Sequence, residues 1–108
     1  MSRHVLVVLT NPAEGREDEY NKWYDEVHLR EVLGIDGFAA AQRFKLSEPQ
    51  IMEDRSFSYL ALYEIDAEDV GAALSALSAG AGTMEISGAL GGEAKALAFS
   101  AIGERVEA

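Results

Sequence analysis

A chain of 108 residues with 48% apolar side chains has the size of a single domain, 1–108, and enough apolar mass for a core of its own. It contains no cysteine, which excludes disulfides, thiolate nucleophiles and thiolate metal sites and suits a reducing, cytoplasmic compartment. Acidic residues number 19 against 9 basic ones, and the net charge of −10 repels phosphate backbones and anionic bilayers, so neither nucleic acid nor a membrane is an expected partner.

The first predicted element is a strand over His4 to Thr10 (HVLVVLT), stopped by Asn11-Pro12. This run is too short for a signal peptide, and no stretch of the chain is long and apolar enough to span a membrane. Glu17, Asp18 and Glu19 suit the positive end of a helix dipole and open the first helix. Tyr20, Trp23, Tyr24 and Val27 fall on one face of it, and Gly34 is placed to cap its end. Asp36-Gly37 reads as a turn. A second strand follows over Phe38 to Leu46, with Phe38, Ala40, Gln42, Phe44 and Leu46 on one side and Ala39, Ala41, Arg43 and Lys45 on the other.

After a connection containing Pro49, the third strand covers Phe57 to Ile65 and points Tyr59 and Tyr63 the same way. Asp66 is the predicted N-cap of a second helix, whose stripe is Val70, Ala73, Leu74 and Leu77. Ala79 to Gly92 reads as a loose, flexible connection, and Lys95 to Ile102 as the last strand. The order β-α-β-β-α-β predicts a ferredoxin-like α+β fold: a four-stranded antiparallel sheet with both helices on one face. The bare face then needs a cover, and a second copy of the chain is the simplest one, which predicts a homodimer.

The segment Glu19 to His28 (EYNKWYDEVH), the following Glu31 to Phe38 (EVLGIDGF), Ala41 to Phe44 (AQRF) and Tyr59 to Ile65 (YLALYEI) together resemble the EthD-like branch of the dimeric α+β barrel superfamily. The likeness covers residues 4–65. Arg30 and Asp36 stand where the family often has proline. The resemblance implies a homodimeric barrel and a pocket between sheet and helices for a small, mostly apolar organic molecule. It also implies a pocket role for His28. Superfamily activities include lactone isomerases, polyketide cyclases, dehydratases, cofactor-free monooxygenases and haem-degrading enzymes.

Among the residues, His28 is the predicted acid/base group, because an unshifted imidazole titrates near neutral pH. Tyr24, four residues earlier, is its predicted catalytic assistant. Tyr20, Trp23, Tyr59, Tyr63 and Arg43 are candidates for substrate binding, with core packing as the alternative for the aromatics and an ion pair to Glu64 as the alternative for Arg43. His4 is expected at the sheet rim. Two histidines 24 residues apart, without cysteine, offer no metal-ligand spacing, and no phosphate-binding glycine motif is present, so neither metal nor cofactor is expected. The functional expectation is cofactor-independent lyase, isomerase or cyclase chemistry; the alternatives are a cofactor-free oxygenase, a non-catalytic binding or stress-related module, and a purely structural dimer.

Overall fold

The computed structural model describes residues 3–108. The elements are β1 (Arg3–Pro12), α1 (Glu17–Trp23), a π-helical turn (Tyr24–His28), α2 (Leu29–Leu33), β2 (Phe38–Lys45), β3 (Tyr59–Asp66), α3 (Val70–Ala81) and β4 (Leu90–Ser100). The first three helical pieces run on as one helix, ended by Gly34 as the sequence suggests. The four strands form one antiparallel sheet in the order β2-β3-β1-β4, the split arrangement expected of a ferredoxin-like fold.

Alternation sorts the sheet into two faces. Leu6 and Thr10 of β1 and Tyr59, Ala61, Tyr63 and Ile65 of β3 are buried on the helix side. They meet Tyr20, Trp23, Tyr24 and Val32 of the first helix and Ala73 of α3, with Val70, Leu74 and Leu77 packed around that core. The opposite face carries Val5, Val7, Leu9, Leu60 and Leu62, none of them fully covered. Around these, Phe44 is 45%, Leu97 50% and Phe99 54% exposed.

Five local expectations are corrected. Strand β1 does not stop at Asn11-Pro12: it continues through a register shift, and Pro12 pairs with Leu90. A proline fits there because the irregularity spares it a ladder hydrogen bond. Strand β4 correspondingly begins at Leu90 rather than Lys95, and ends at Ser100. The glycines read as part of a loose connection are thereby built in: a Cβ on Gly91 would lie 2.6 Å from the Asn11 carbonyl oxygen. In β2, a register shift between Phe38 and Ala40 breaks strict alternation. Phe38, Ala41 and Arg43 therefore turn toward the helices, while Gln42 and Phe44 turn outward, so Phe38 and Phe44 do not share a side. Finally, Asp66 closes β3, and the cap of α3 is Asp69, whose carboxylate accepts from Ala72 N–H at 3.1 Å.

Candidate functional site

The polar groups of the helix face gather around Arg43. Its guanidinium donates from Nη1 to Asp25 Oδ1 and from Nη2 to Asn21 Oδ1, both at 2.9 Å. The side chain is only 11% exposed, whereas that of Asp25 is 61% exposed, so the ion pair spans from the interior to water. The predicted pairing with Glu64 does not form. Glu64 lies on the other face and meets Arg3 at 3.5 Å, because the shift in β2 aims Arg43 at the helix.

Three tyrosine rings enclose the guanidinium. Arg43 Cζ is 4.5 Å from the Tyr24 ring centroid, 5.1 Å from that of Tyr59 and 5.2 Å from that of Tyr20. Their hydroxyls are largely held. Thr10 Oγ1 and the Tyr20 hydroxyl are 2.5 Å apart, and the Tyr59 hydroxyl donates to Glu17 while accepting from Asn21 Nδ2 at 3.2 Å. Among the described residues, two buried polar side-chain atoms complete no hydrogen bond: Arg43 Nε and the Tyr63 hydroxyl. Burial drives the Tyr63 phenol far above its ordinary pKa, and raises those of Tyr20 and Tyr24 as well. All three phenols are therefore protonated at neutral pH and serve as hydrogen-bond donors rather than bases.

His28 sits next to this cluster because of the π-helical turn. In a regular α-helix, Trp23 and His28 would project about 140° apart around the axis. The wider turn, in which Leu29 N–H reaches back five residues to Tyr24 C=O, brings them onto one side. The imidazole stacks on the Trp23 indole, with centroids 4.7 Å apart and planes 20° apart, and meets the Tyr24 ring edge-on at 5.2 Å. Nδ1–H points at Glu31 Oε1, 3.4 Å away, and Nε2 has no hydrogen-bond partner among the described residues. Burial lowers the His28 pKa below 6.5 against the opposing pull of Glu31, so the ring is neutral at neutral pH. Helical spacing alone places His28 at the edge of the aromatic stripe; the π turn moves it onto the stripe.

Trp23 and Glu31 also clasp the Glu85 peptide. The indole Nε1–H donates to Glu85 C=O at 2.6 Å, and Glu85 N–H donates to Glu31 Oε2 at 2.8 Å. Sequence reasoning missed Glu31, Asn21 and Asp25, which look like ordinary solvent-facing helix residues. Only the acceptor each presents to a cation or ring N–H distinguishes them. His4 stands apart at the sheet rim as expected: Nε2–H donates to Ala67 C=O at 3.1 Å, and Nδ1 lies 2.7 Å from Ser100 Oγ.

Among the hollows of the surface are two open ones. One, of about 310 Å³, lies beside the open sheet face between Leu9, Phe44, Lys45, Phe57 and Leu60. The other, of about 400 Å³, runs between α1 and the segment 85–88, past Lys22, Trp23, Glu26 and Ile86. Neither is lined by His28. Among the described residues, no group of three or more His, Cys, Asp or Glu side chains is placed to hold a metal ion, and no helix is long and apolar enough to cross a membrane.

The fold has solved relatives. An ethyl tert-butyl ether D (EthD) family protein from Bacillus halodurans C-125 superposes with a TM-score of 0.60 at 15% identity, covering 98% of this chain and all (100%) of that one. A protein from Shewanella loihica PV-4, provisionally assigned as a monooxygenase, gives 0.61 at 13% identity over 96% of this chain and 99% of its own. A dimeric ferredoxin-like protein of unknown function from Thermobifida fusca YX gives 0.57 at 12% identity over 93% and 92%. At such identities the likeness is one of fold: the chain has the architecture of the EthD-like, ferredoxin-like proteins. No family model matches the sequence, and neither does any curated protein.

Proposed function

We propose that this chain is the subunit of a homodimer whose open sheet faces close on each other as a barrel. We further propose that the cluster centred on Tyr24 carries cofactor-independent acid/base chemistry, of the lyase, isomerase or cyclase kind, on a small, mostly apolar organic molecule. A dimeric protein among the structural neighbours and the apolar open face support the assembly. The observation that carries the chemistry is that Tyr24 touches both halves of a reacting site. Its ring borders the buried Arg43 cation at 4.5 Å and the neutral imidazole of His28 at 5.2 Å.

In this reading Glu31 holds the Nδ1–H tautomer of His28, which leaves the Nε2 lone pair free to take a proton. Tyr24, a protonated phenol, donates a hydrogen bond to the oxygen that gains charge, and Arg43 stabilises that charge. Tyr20, Trp23, Tyr59 and Tyr63 supply the apolar walls. The test is proton exchange at carbon. A panel of small ketones and lactones is incubated with the protein in D2O, and deuterium incorporation is followed by NMR. Exchange is expected with the native protein and should fall roughly 10²–10⁴-fold in His28→Gln. An unchanged rate in that variant overturns the acid/base role of His28.

One observation favours a second reading, a non-catalytic small-molecule binding module. The tyrosine rings pack closely on one another, Tyr20 and Tyr59 having centroids 5.2 Å apart and Tyr20 and Tyr24 5.5 Å. Ligand binding without any exchange would select this reading.

A further inference from the structure

Two buried donors that complete no hydrogen bond of ordinary geometry among the described residues lie on one face of the sheet. Arg43 pairs with Ala61 and Tyr63 with Ala41 across β2 and β3, so Arg43 and Tyr63 are diagonal neighbours whose side chains both rise toward the first helix. Arg43 lies close enough to Tyr63 to act on its ionisation. Among the described residues, Arg43 Nε–H is buried without an acceptor, and the Tyr63 hydroxyl, beside Tyr24, completes no hydrogen bond of ordinary geometry. Such groups are rare in folded proteins, because each forfeits its hydration on burial with nothing in return.

The guanidinium offers a fork of parallel donors, Nε–H and Nη2–H. Asn21 Oδ1 occupies the Nη2 tine at 2.9 Å, and Asp25 takes Nη1 at the same distance on the solvent side. The Nε tine remains vacant and buried. Arg43 Nε–H can only donate, and the protonated Tyr63 hydroxyl has a proton to give, so a ligand rich in acceptors and carrying negative charge satisfies both. The surrounding rings of Tyr20, Tyr24 and Tyr59 complement an apolar or aromatic body attached to that charge.

We propose that Arg43 Nε and the Tyr63 hydroxyl form a subsite for the oxygen atoms of a small aromatic or aliphatic carboxylate. The inference rests on the reading of the Tyr24 cluster as the functional site, and names the class of molecule it takes. In this subsite one carboxylate oxygen accepts from Arg43, and one from Tyr63.

Calorimetric titration with benzoate, and with benzyl alcohol as its uncharged counterpart, tests the proposal. Benzoate is expected to bind and benzyl alcohol to bind far more weakly. Tyr63→Phe removes one oxygen atom and keeps the ring; it should retain the thermal stability of the native protein and weaken benzoate binding roughly 10- to 100-fold. Arg43→Gln should abolish binding, but it also leaves Asp25 without its partner, so Tyr63→Phe is the deciding variant. Absence of benzoate binding, equal binding of benzoate and benzyl alcohol, or undiminished binding by Tyr63→Phe each overturns the subsite. His28→Gln separates this proposal from the acid/base reading. Benzoate binding lost in Tyr63→Phe, with exchange undiminished in His28→Gln, sinks the catalytic role of His28 and leaves the subsite standing. The opposite pattern sinks the subsite alone.

Discussion

The two faces of the sheet are built from the same strands and the same alternation, yet they are finished differently. On the helix face, large aromatic side chains are buried and tied to polar partners, as with Tyr20 to Thr10, Tyr59 to Glu17 and Trp23 to the Glu85 carbonyl. On the open face, Phe44, Leu97 and Phe99 are about half exposed and no helix lies over them. Over β1 and β3 the first face closes within one chain, while Ala96 and Ala98 at the β4 edge stay exposed. The second presents apolar surface that costs free energy in water until another surface covers it. The contrast separates what a subunit needs in order to fold from what it offers for assembly.

The sharpest way to break that contrast is to truncate the closed face. Tyr20 is fully buried among Tyr24, Tyr59 and Arg43. Tyr20→Ala should lower unfolding stability by about 3–5 kcal/mol, measured by urea denaturation. A loss below about 1 kcal/mol would mean that the aromatic cluster is not the core.

The open face should respond in the opposite way. Phe99→Glu places a charge on half-exposed surface, so the isolated subunit should keep its fold by circular dichroism. Light scattering should find the native protein at twice 11.7 kDa and the variant at 11.7 kDa. A native protein that is monomeric at micromolar concentration overturns the barrel dimer.

A smaller effect is expected from pH. The folded protein holds the His28 pKa below 6.5 by burial, so the unfolded chain takes up the proton first as pH falls. The sign follows: this residue costs no stability above pH 6.5, and stability is lost as pH drops through 6.5 toward the lower folded pKa. His28→Gln should flatten the melting temperature over that window relative to the native protein. An unaltered profile would place the imidazole in water rather than between Trp23 and Tyr24.

The smallest effect is a control outside both faces. Asp69→Ala removes the side-chain acceptor at the start of α3 and should cost about 1 kcal/mol, without changing assembly or benzoate binding. Should Asp66→Ala prove the costlier change, the start of α3 lies three residues earlier.

Much of the architecture was legible in the residues themselves. A continuous apolar run marked β1, alternating runs marked β2 and β3, and the stripe from Tyr20 to Val27 marked the first helix and its buried face. Turn and cap residues such as Gly37, with φ of 95°, and Gly34 set where elements stop. These features depend on neighbours a few residues away, which a linear reading captures.

Three features were decided only by the tertiary structure. The register shift in β2 turned Arg43 from Glu64 toward the helix, because the burial of Phe38 and Ala41 on one side outweighs strict alternation. The π-helical turn drew His28 over Trp23, since the stacking partner and the Glu31 carboxylate reward a wider turn that no propensity specifies. The pairing of Pro12 with Leu90 and the close approach of Gly91 to Asn11 made a strand of what looks like a loose linker. In each case the deciding energy comes from contacts between residues distant in the chain or from one extra residue in a turn. Local sequence thus determined the elements and their apolar faces, while long-range packing decided which polar groups meet, and so where any chemistry can occur.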